Sequence, residues 1–208
     1  VRATPSVKVA INITSDKCYE NKELTRGYRE TDRMGGKDPY SASKGAVEII
    51  TSSYISSFFS NNQTANIASV RAGNVIGAGD WSENRIIPDY FKAKISNIPL
   101  MIRNPNSTRP WQHVLEPLSG YMNLAQLLYE KGKRFQGGYN FGPFEKRSYT
   151  VLGLIKEFSK YDELPEIDYG SSEKNLEAKF LNLDISKAKQ ELGWKPILNF
   201  NDNVKYCI

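Results

Sequence analysis

A length of 208 residues, with 39% hydrophobic and 25% charged residues, fits one domain or one and a half with a real core. No apolar run is long enough to span a bilayer. The Lys and Arg behind the net charge of +5 are scattered among acids, which argues against nucleic acid as a partner. The run over 7–13 is apolar and β-branched and predicts a strand that delivers Thr14-Ser15-Asp16-Lys17 to its C-terminal end. The polar, glycine-containing stretch 18–38 reads as a loop over that end. Pro39 then opens a helix running to about Ser60, because proline suits a first helical turn. Its apolar positions, among them Val47, Ile49, Ile50, Tyr54 and Phe58, wrap widely and predict burial on two sides, by a sheet and by a partner helix. A second buried strand is expected over 65–71, followed by a glycine-containing loop over 72–81. A helix over 84–98, a short strand over 100–103 and a turn over 104–107 come next. An amphipathic helix over 116–131, a strand and turn over 138–142, a helix from Thr150 to about Tyr161 and an edge strand near Ile167 follow. Last comes a short helix capped by Asp184 and stopped by Gly193, and then a final helix at the C-terminus.

Two cysteines, Cys18 and Cys207, make no disulfide framework and suit a reducing cytoplasm. Cys18 reads as a small space-filler, not a nucleophile. The single histidine, His113, rules out a His-based metal cluster and is assigned to packing, so no metal is expected.

The chemistry centres on Tyr40-Ser41-Ala42-Ser43-Lys44. Helical positions four apart share a face. An ammonium one turn from a phenol stabilises phenolate, whose ordinary pKa is about 10, and so brings a tyrosine base nearer neutral pH. Ser15, Asp16 and Lys17 lie at the C-terminal end of a strand, where open parallel sheets gather ligands. Asn84 and Arg85 stand at an expected helix start, where N–H groups and a guanidinium can clamp phosphate. A dinucleotide fold normally opens with a strand, a glycine-rich turn and a helix. No such fingerprint opens this chain; Gly77 and Gly79 fall after a later strand, with no adjoining third glycine. The first residues, Val1-Arg2-Ala3-Thr4-Pro5, show neither a signal-peptide core nor an initiator Met, and the expectation is a piece of a longer protein.

Together these features resemble the short-chain dehydrogenase/reductase superfamily, in its extended branch acting on nucleotide sugars, with the closer likeness to the CDP-glucose 4,6-dehydratase type. The likeness is carried by segments 14–21, 40–44, 71–81 (Arg-Ala-Gly-Asn-Val-Ile-Gly-Ala-Gly-Asp-Trp), 109–117 (Arg-Pro-Trp-Gln-His-Val-Leu-Glu-Pro) and 192–196 (Leu-Gly-Trp-Lys-Pro). It implies an α/β fold: the C-terminal part of a Rossmann-type parallel sheet plus a small substrate-binding α/β domain, with N-terminal strands missing. The sheet domain would comprise 1–82, with 113–145 returning to it; 83–112 and 146–208 would bind the sugar nucleotide.

The resemblance also implies bound NAD, held by Tyr40 and Lys44, with Tyr40 taking the sugar 4-hydroxyl proton and Ser15 hydrogen-bonding the same hydroxyl. Asp16 would protonate the departing 6-hydroxyl and Lys17 would take the C5 proton; most such dehydratases carry Glu at the latter position, and simple 4-epimerases lack the pair. A lysine base acts neutral, so burial or a nearby cation is expected at Lys17. Asn74, Asn84, Arg85 and Arg109 are assigned to the sugar diphosphate, and Leu100 and Arg103 to the border of the nucleobase. A homodimer or dimer of dimers through the Tyr40 helix is implied, with a product that feeds surface polysaccharides such as lipopolysaccharide O-antigen. The chain departs from the type at Leu176-Glu177-Ala178, where His usually precedes Glu-Ala. Two readings compete: another extended enzyme (an epimerase, or a dTDP-glucose or GDP-mannose dehydratase), and a non-catalytic nucleotide-sugar-binding fragment.

Overall fold

The computed structural model describes residues 1–60, 65–143, 148–170 and 181–208. Along the chain the elements are β1 (Val9–Ile13), a 3-10 turn (Asp16–Cys18), α1 (Pro39–Phe58), β2 (Asn66–Ala72), β3 (Val75–Ile76) and α2 (Ile86–Ser96). Next come β4 (Leu100–Met101), β5 (Thr108–Arg109), β6 (Gln112–His113), α3 (Leu115–Lys131), a second 3-10 turn (Gly132–Phe135) and β7 (Gly137–Phe141). The last are β8 (Tyr149–Thr150), α4 (Val151–Phe158), β9 (Ile167–Asp168), α5 (Ser186–Leu192) and α6 (Phe200–Lys205).

The first of two units comprises Val1–Gly73, Leu115–Gly142 and Leu181–Pro196. Its three strands pair in parallel in the order β1-β2-β7, with Ile11 opposite Ala68 and Val70 opposite Tyr139. A parallel neighbour requires a crossover; α1 supplies the one from β1 to β2, and α3 lies between β2 and β7. The central strand β2 is buried along five successive residues, as a strand covered on both faces must be. Its core gathers Val70, Leu124, Leu128, Phe141, Leu192 and Trp194. Fully burying side chains of this kind stabilises by about 1.5–3 kcal/mol each. Trp194 sets its ring edge-on to Phe141 at 4.8 Å, and its indole N–H donates to Ser119 at 2.9 Å.

The outer border of β7 is closed by side chains. The Asn140 N–H donates to the Glu30 carboxylate at 2.9 Å, and the Lys187 ammonium donates to the Gly138 carbonyl at 2.9 Å.

Helix α1 starts where its cap dictates. Asp38 accepts the Ser41 N–H at 2.9 Å, and Pro39 follows it. The two-sided burial expected for this helix is not what the chain alone shows. Ser41, Gly45, Glu48 and Thr51 turn inward, while Ile49, Ile50, Tyr54 and Phe58 stay exposed. Most of the interior face is small and polar, with Ile55 packing against Phe59, and the larger apolar residues Ile49, Ile50, Tyr54 and Phe58 lie on the other side.

The second unit comprises Asn74–Val114, Pro143–Phe180 and Ile197–Ile208. Among the described residues, three short ladders occur there: β3 with β6 and β4 with β9 in parallel, and β5 with β8 antiparallel. Ladders two residues long cannot hold a fold alone. Cohesion comes from a core of Tyr90, Leu154, Ile155, Phe158 and Val204, drawn from α2, α4 and α6. Thr150 caps α4 through the Gly153 N–H at 2.9 Å, and the Asn199 side chain caps α6 through the Asp202 N–H at 3.0 Å.

Several boundaries differ from the sequence expectation. Leu181–Pro196 packs with the first unit, not with the sugar-nucleotide segments, because Ala188, Leu192 and Trp194 bury among α3 and β7 residues. Residues 74–81 belong to the second unit, where β3 pairs with β6 inside the stretch expected as loop. Helix α2 begins at Ile86 and not at Asn84, whose φ of 59° is left-handed and outside a helix. Asp184 sits one residue before the α5 cap, Ile185, and accepts the Ser186 N–H at 2.8 Å; Gly193 ends the helix at φ 64° as expected.

Candidate active site

The end of β1 leads directly into the Asp16–Cys18 turn, in the first unit. Ser15 caps it: its hydroxyl accepts the Lys17 N–H at 3.2 Å and donates to the Asp16 carboxylate at 3.0 Å. Asp16 is buried and Lys17 is exposed. The chain then folds back on itself, with Tyr19 bridging to Met34 and the Gly35 N–H donating to the Cys18 carbonyl at 2.9 Å. This return brings α1 against the turn. A Cβ at Gly45 would lie 3.1 Å from the Gly35 nitrogen and 3.2 Å from the Cys18 carbonyl oxygen, so a residue without a side chain stands at the approach. At Gly36 a Cβ would overlap Ser41 and the Ala42 nitrogen outright.

Tyr40 and Lys44 share one face of the first turns of α1. The Lys44 ammonium is 5.6 Å from the centre of the Tyr40 ring, and Tyr40 is 52% exposed, open to a ligand. Lys17 departs from the burial expected of it: it is exposed, and its charge acts on an anion, Asp38. The Ser41 hydroxyl and amide hold the Asp38 carboxyl below its usual range, and Lys17 adds to that effect. Cys18 is fully buried, and burial pushes its thiol up to about 12, which suits a space-filler.

The second unit holds the other assigned residues. Arg103 donates to the Asn84 side-chain oxygen at 3.0 Å, and Arg85, at the α2 cap position, lies 3.9 Å from Asp80. All three are exposed. Arg109, half-buried on β5, donates to the Thr108 carbonyl at 2.8 Å. Asn74 is half-buried and its carbonyl accepts the Gln112 N–H at 3.0 Å. Leu100 is sealed in the core, so only its backbone can border a ligand. His113, with Trp111 and Gln112, is buried. The departure at 176–178 lies outside the described residues. Among the described residues no helix is long and apolar enough to cross a membrane.

Sequence reasoning missed the polar network beneath the turn. Glu48 and Arg71 form a buried ion pair at 2.7 Å, their side chains 3% and 5% exposed. Burial works against the Glu48 charge, but the Arg71 guanidinium together with the Ser69 and Thr14 hydroxyls outweighs it and holds the carboxyl below its usual range. The one available signal was the inward stripe Ser41, Gly45, Glu48 on α1, a helical period of small and polar residues.

Acid sensitivity follows from these carboxyls. Asp32, gripped by Arg26 at 2.6 Å, is lowered from 3.8 to about 2. At Asp184 burial opposes the lowering, which Ser186 and Arg29 achieve. A depressed folded value contributes stability in full above the unfolded pKa and loses it as pH falls through the folded one. Glu30 and Asp89, raised by burial, act in the opposite sense, at pH values above their ordinary carboxyl range. The thermal midpoint of the protein, followed by circular dichroism, is expected to fall steeply between about pH 4 and pH 2. A midpoint that rises across that range would contradict the sign.

A family model described as GDP-mannose 4,6 dehydratase matches residues 2–207. The CDP-glucose 4,6-dehydratase of Salmonella typhimurium is 46% identical over 202 residues, which cover 94% of this chain and 56% of that protein. The chain thus spans little more than half the length of that relative. Among solved structures, a UDP-glucuronic acid 4-epimerase from Bacillus cereus, in complex with UDP-glucuronic acid and NAD, superposes with a TM-score of 0.79 at 19% identity, over 99% of this chain and 62% of that one. A dTDP-glucose 4,6-dehydratase from Bacillus anthracis, in complex with NAD, gives 0.73 at 17% identity over 95% and 59%. The fold is shared with these structures: a Rossmann-like parallel sheet covered by helices, in the α/β class. With the family match running from Arg2 to Cys207, the chain belongs to the GDP-mannose 4,6 dehydratase family.

Proposed function

We propose that the protein containing this chain dehydrates CDP-glucose to CDP-4-keto-6-deoxyglucose, a hydro-lyase reaction with bound NAD. The observation carrying this reading is the Ser15-Asp16-Lys17 turn packed against the α1 turn that bears Tyr40 and Lys44, in a chain 46% identical to a CDP-glucose 4,6-dehydratase. Tyr40, exposed, and Lys44, half-buried beside it, fit the ribose end of NAD. When bound, NAD supplies a hydride acceptor and, later, a donor, so no net oxidation occurs. Tyr40 takes the proton of the sugar 4-hydroxyl, which Ser15 also engages. Asp16 hands a proton to the leaving 6-hydroxyl, and Lys17 removes the C5 proton. Because Lys17 is exposed in this chain, this reading requires the bound sugar to take water from it. Asn74, Asn84, Arg85 and Arg109 bind the diphosphate, and Arg103 with the backbone at Leu100 borders the base.

The test uses the full-length protein. Incubation with CDP-glucose should give a product lighter by one water in the mass spectrum, and UDP-, dTDP- and GDP-hexoses should be turned over at least about tenfold less well. A product of unchanged mass would point to an epimerase, and absence of turnover with every sugar would end the catalytic reading.

The exposed apolar side of α1, with Ile49, Ile50, Tyr54 and Phe58, supports a homodimer formed across that helix, or a dimer of dimers. Sedimentation of the full-length protein is expected at twice the chain mass or more, and at the monomer mass for Ile50→Glu; a monomeric parent would refute this. Two buried thiols suit a reducing compartment, and we infer the cytoplasm, with the product entering surface-polysaccharide synthesis such as that of O-antigen.

A further inference from the structure

The Ser15-Asp16-Lys17 turn is gripped on both flanks by one buried ion pair. Before it, the Thr14 hydroxyl meets the Glu48 carboxylate and also the Val70 carbonyl at 3.2 Å. After it, the Tyr19 hydroxyl accepts from Arg71 at 2.6 Å and donates to Asn140 at 2.8 Å. Glu48 and Arg71 close the circuit at 2.7 Å, and Ser69 donates to the same Glu48 oxygen at 2.6 Å. The Arg71 guanidinium also lies 5.2 Å from the Tyr19 ring centre. Glu48 stands on α1, one turn beyond Lys44 and two beyond Tyr40, so the grip runs from the turn to the helix bearing the other two reactive groups. Room for Arg71 comes from Gly138 on β7, where a Cβ would overlap the guanidinium.

Packing alone does not call for this pair. A buried ion pair is often no more stabilising than apolar residues of the same volume. Leucine and methionine would fill the space but offer no acceptor to Thr14 and no donor to Tyr19. Directional bonds are what the charged pair adds.

We propose that Glu48 and Arg71 are positioning residues, which fix the Ser15-Asp16-Lys17 turn in register with Tyr40 and Lys44. The proposal rests on the catalytic reading of that turn. A displacement near 1 Å can cost about a hundredfold in rate, so loss of register should appear in kcat and not in substrate affinity.

The experiment uses the full-length protein in four variants: Thr14→Val and Tyr19→Phe, each deleting one hydroxyl, Thr14→Ser, which keeps it, and the paired apolar change Glu48→Leu with Arg71→Met. Amide exchange over 15–19 is compared with exchange over 9–13, alongside kcat, KM and the thermal midpoint. Thr14→Val and Tyr19→Phe are expected to exchange about tenfold faster over 15–19 and unchanged over 9–13, with kcat lowered about tenfold and KM within about twofold. Thr14→Ser should restore both, and the paired change should keep the midpoint while losing rate. Wild-type exchange rates over 15–19 in both hydroxyl deletions would overturn the proposal, as would faster exchange with kcat within twofold of the parent. Should the paired variant not fold, the single deletions still decide. If the parent itself turns over no nucleotide sugar, the functional reading fails, and the exchange comparison alone decides whether the pair holds the turn.

Discussion

Tyr40→Phe in the full-length protein is expected to lower kcat by about 10²–10⁴-fold, the range that a positioned general base contributes. The expectation is sharp because the change should do little else. Tyr40 is 52% exposed at the second position of α1, so its hydroxyl supports no core. Lys44, 5.6 Å from the ring centre, keeps its place, and the first turn of α1 still favours negative charge nearby. The thermal midpoint should therefore remain within about a degree or two, consistent with a surface change of less than 0.5 kcal/mol. Rate and stability thus separate: a variant that folds like its parent and fails only in turnover identifies the phenol as a reacting group. A variant keeping more than a tenth of the parent rate would remove Tyr40 from that role.

Arg71→Ala should be strongly destabilising, costing about 3–5 kcal/mol. The guanidinium is 5% exposed and is the cation for Glu48, itself 3% exposed. Removing it leaves a carboxylate in the interior with hydroxyl donors from Thr14 and Ser69 and no opposing charge. The comparison that gives the number meaning is Arg29→Ala. Arg29 pairs with Asp184 at 3.0 Å, but at 63% exposure, where an ion pair is worth about 0–1 kcal/mol. Urea unfolding of both variants is the measurement. Equal losses would mean that burial does not decide the worth of these pairs.

The strands and long helices were legible because their signals are local. Val9–Ile13, Asn66–Ala72 and Gly137–Phe141 lie within a residue or two of the expected strands, and Leu115–Lys131 matches its amphipathic run. Tyr40 and Lys44 were readable for the same reason, four residues apart on one helix. What escaped depends on residues distant in sequence. Tyr19, Glu48, Arg71 and Asn140 span more than a hundred positions, and nothing in a local window joins them. The ladders β3 with β6 and β5 with β8 are two residues each, too short for an alternating pattern to register. At α1 the widely spread apolar residues predicted burial on two sides but not which residues meet the chain's own interior, where packing against the turn at Cys18 favours Gly45 over a larger side chain.

The side-chain hydrogen bonds that meet the β7 backbone have a consequence for the protein in concentrated solution. An unpaired strand border normally templates the docking of a foreign strand. Here Glu30 already occupies the Asn140 N–H, and Lys187 occupies the Gly138 carbonyl. A stranger's backbone would have to displace these two side-chain bonds before its own formed there, which disfavours strand addition at those two positions.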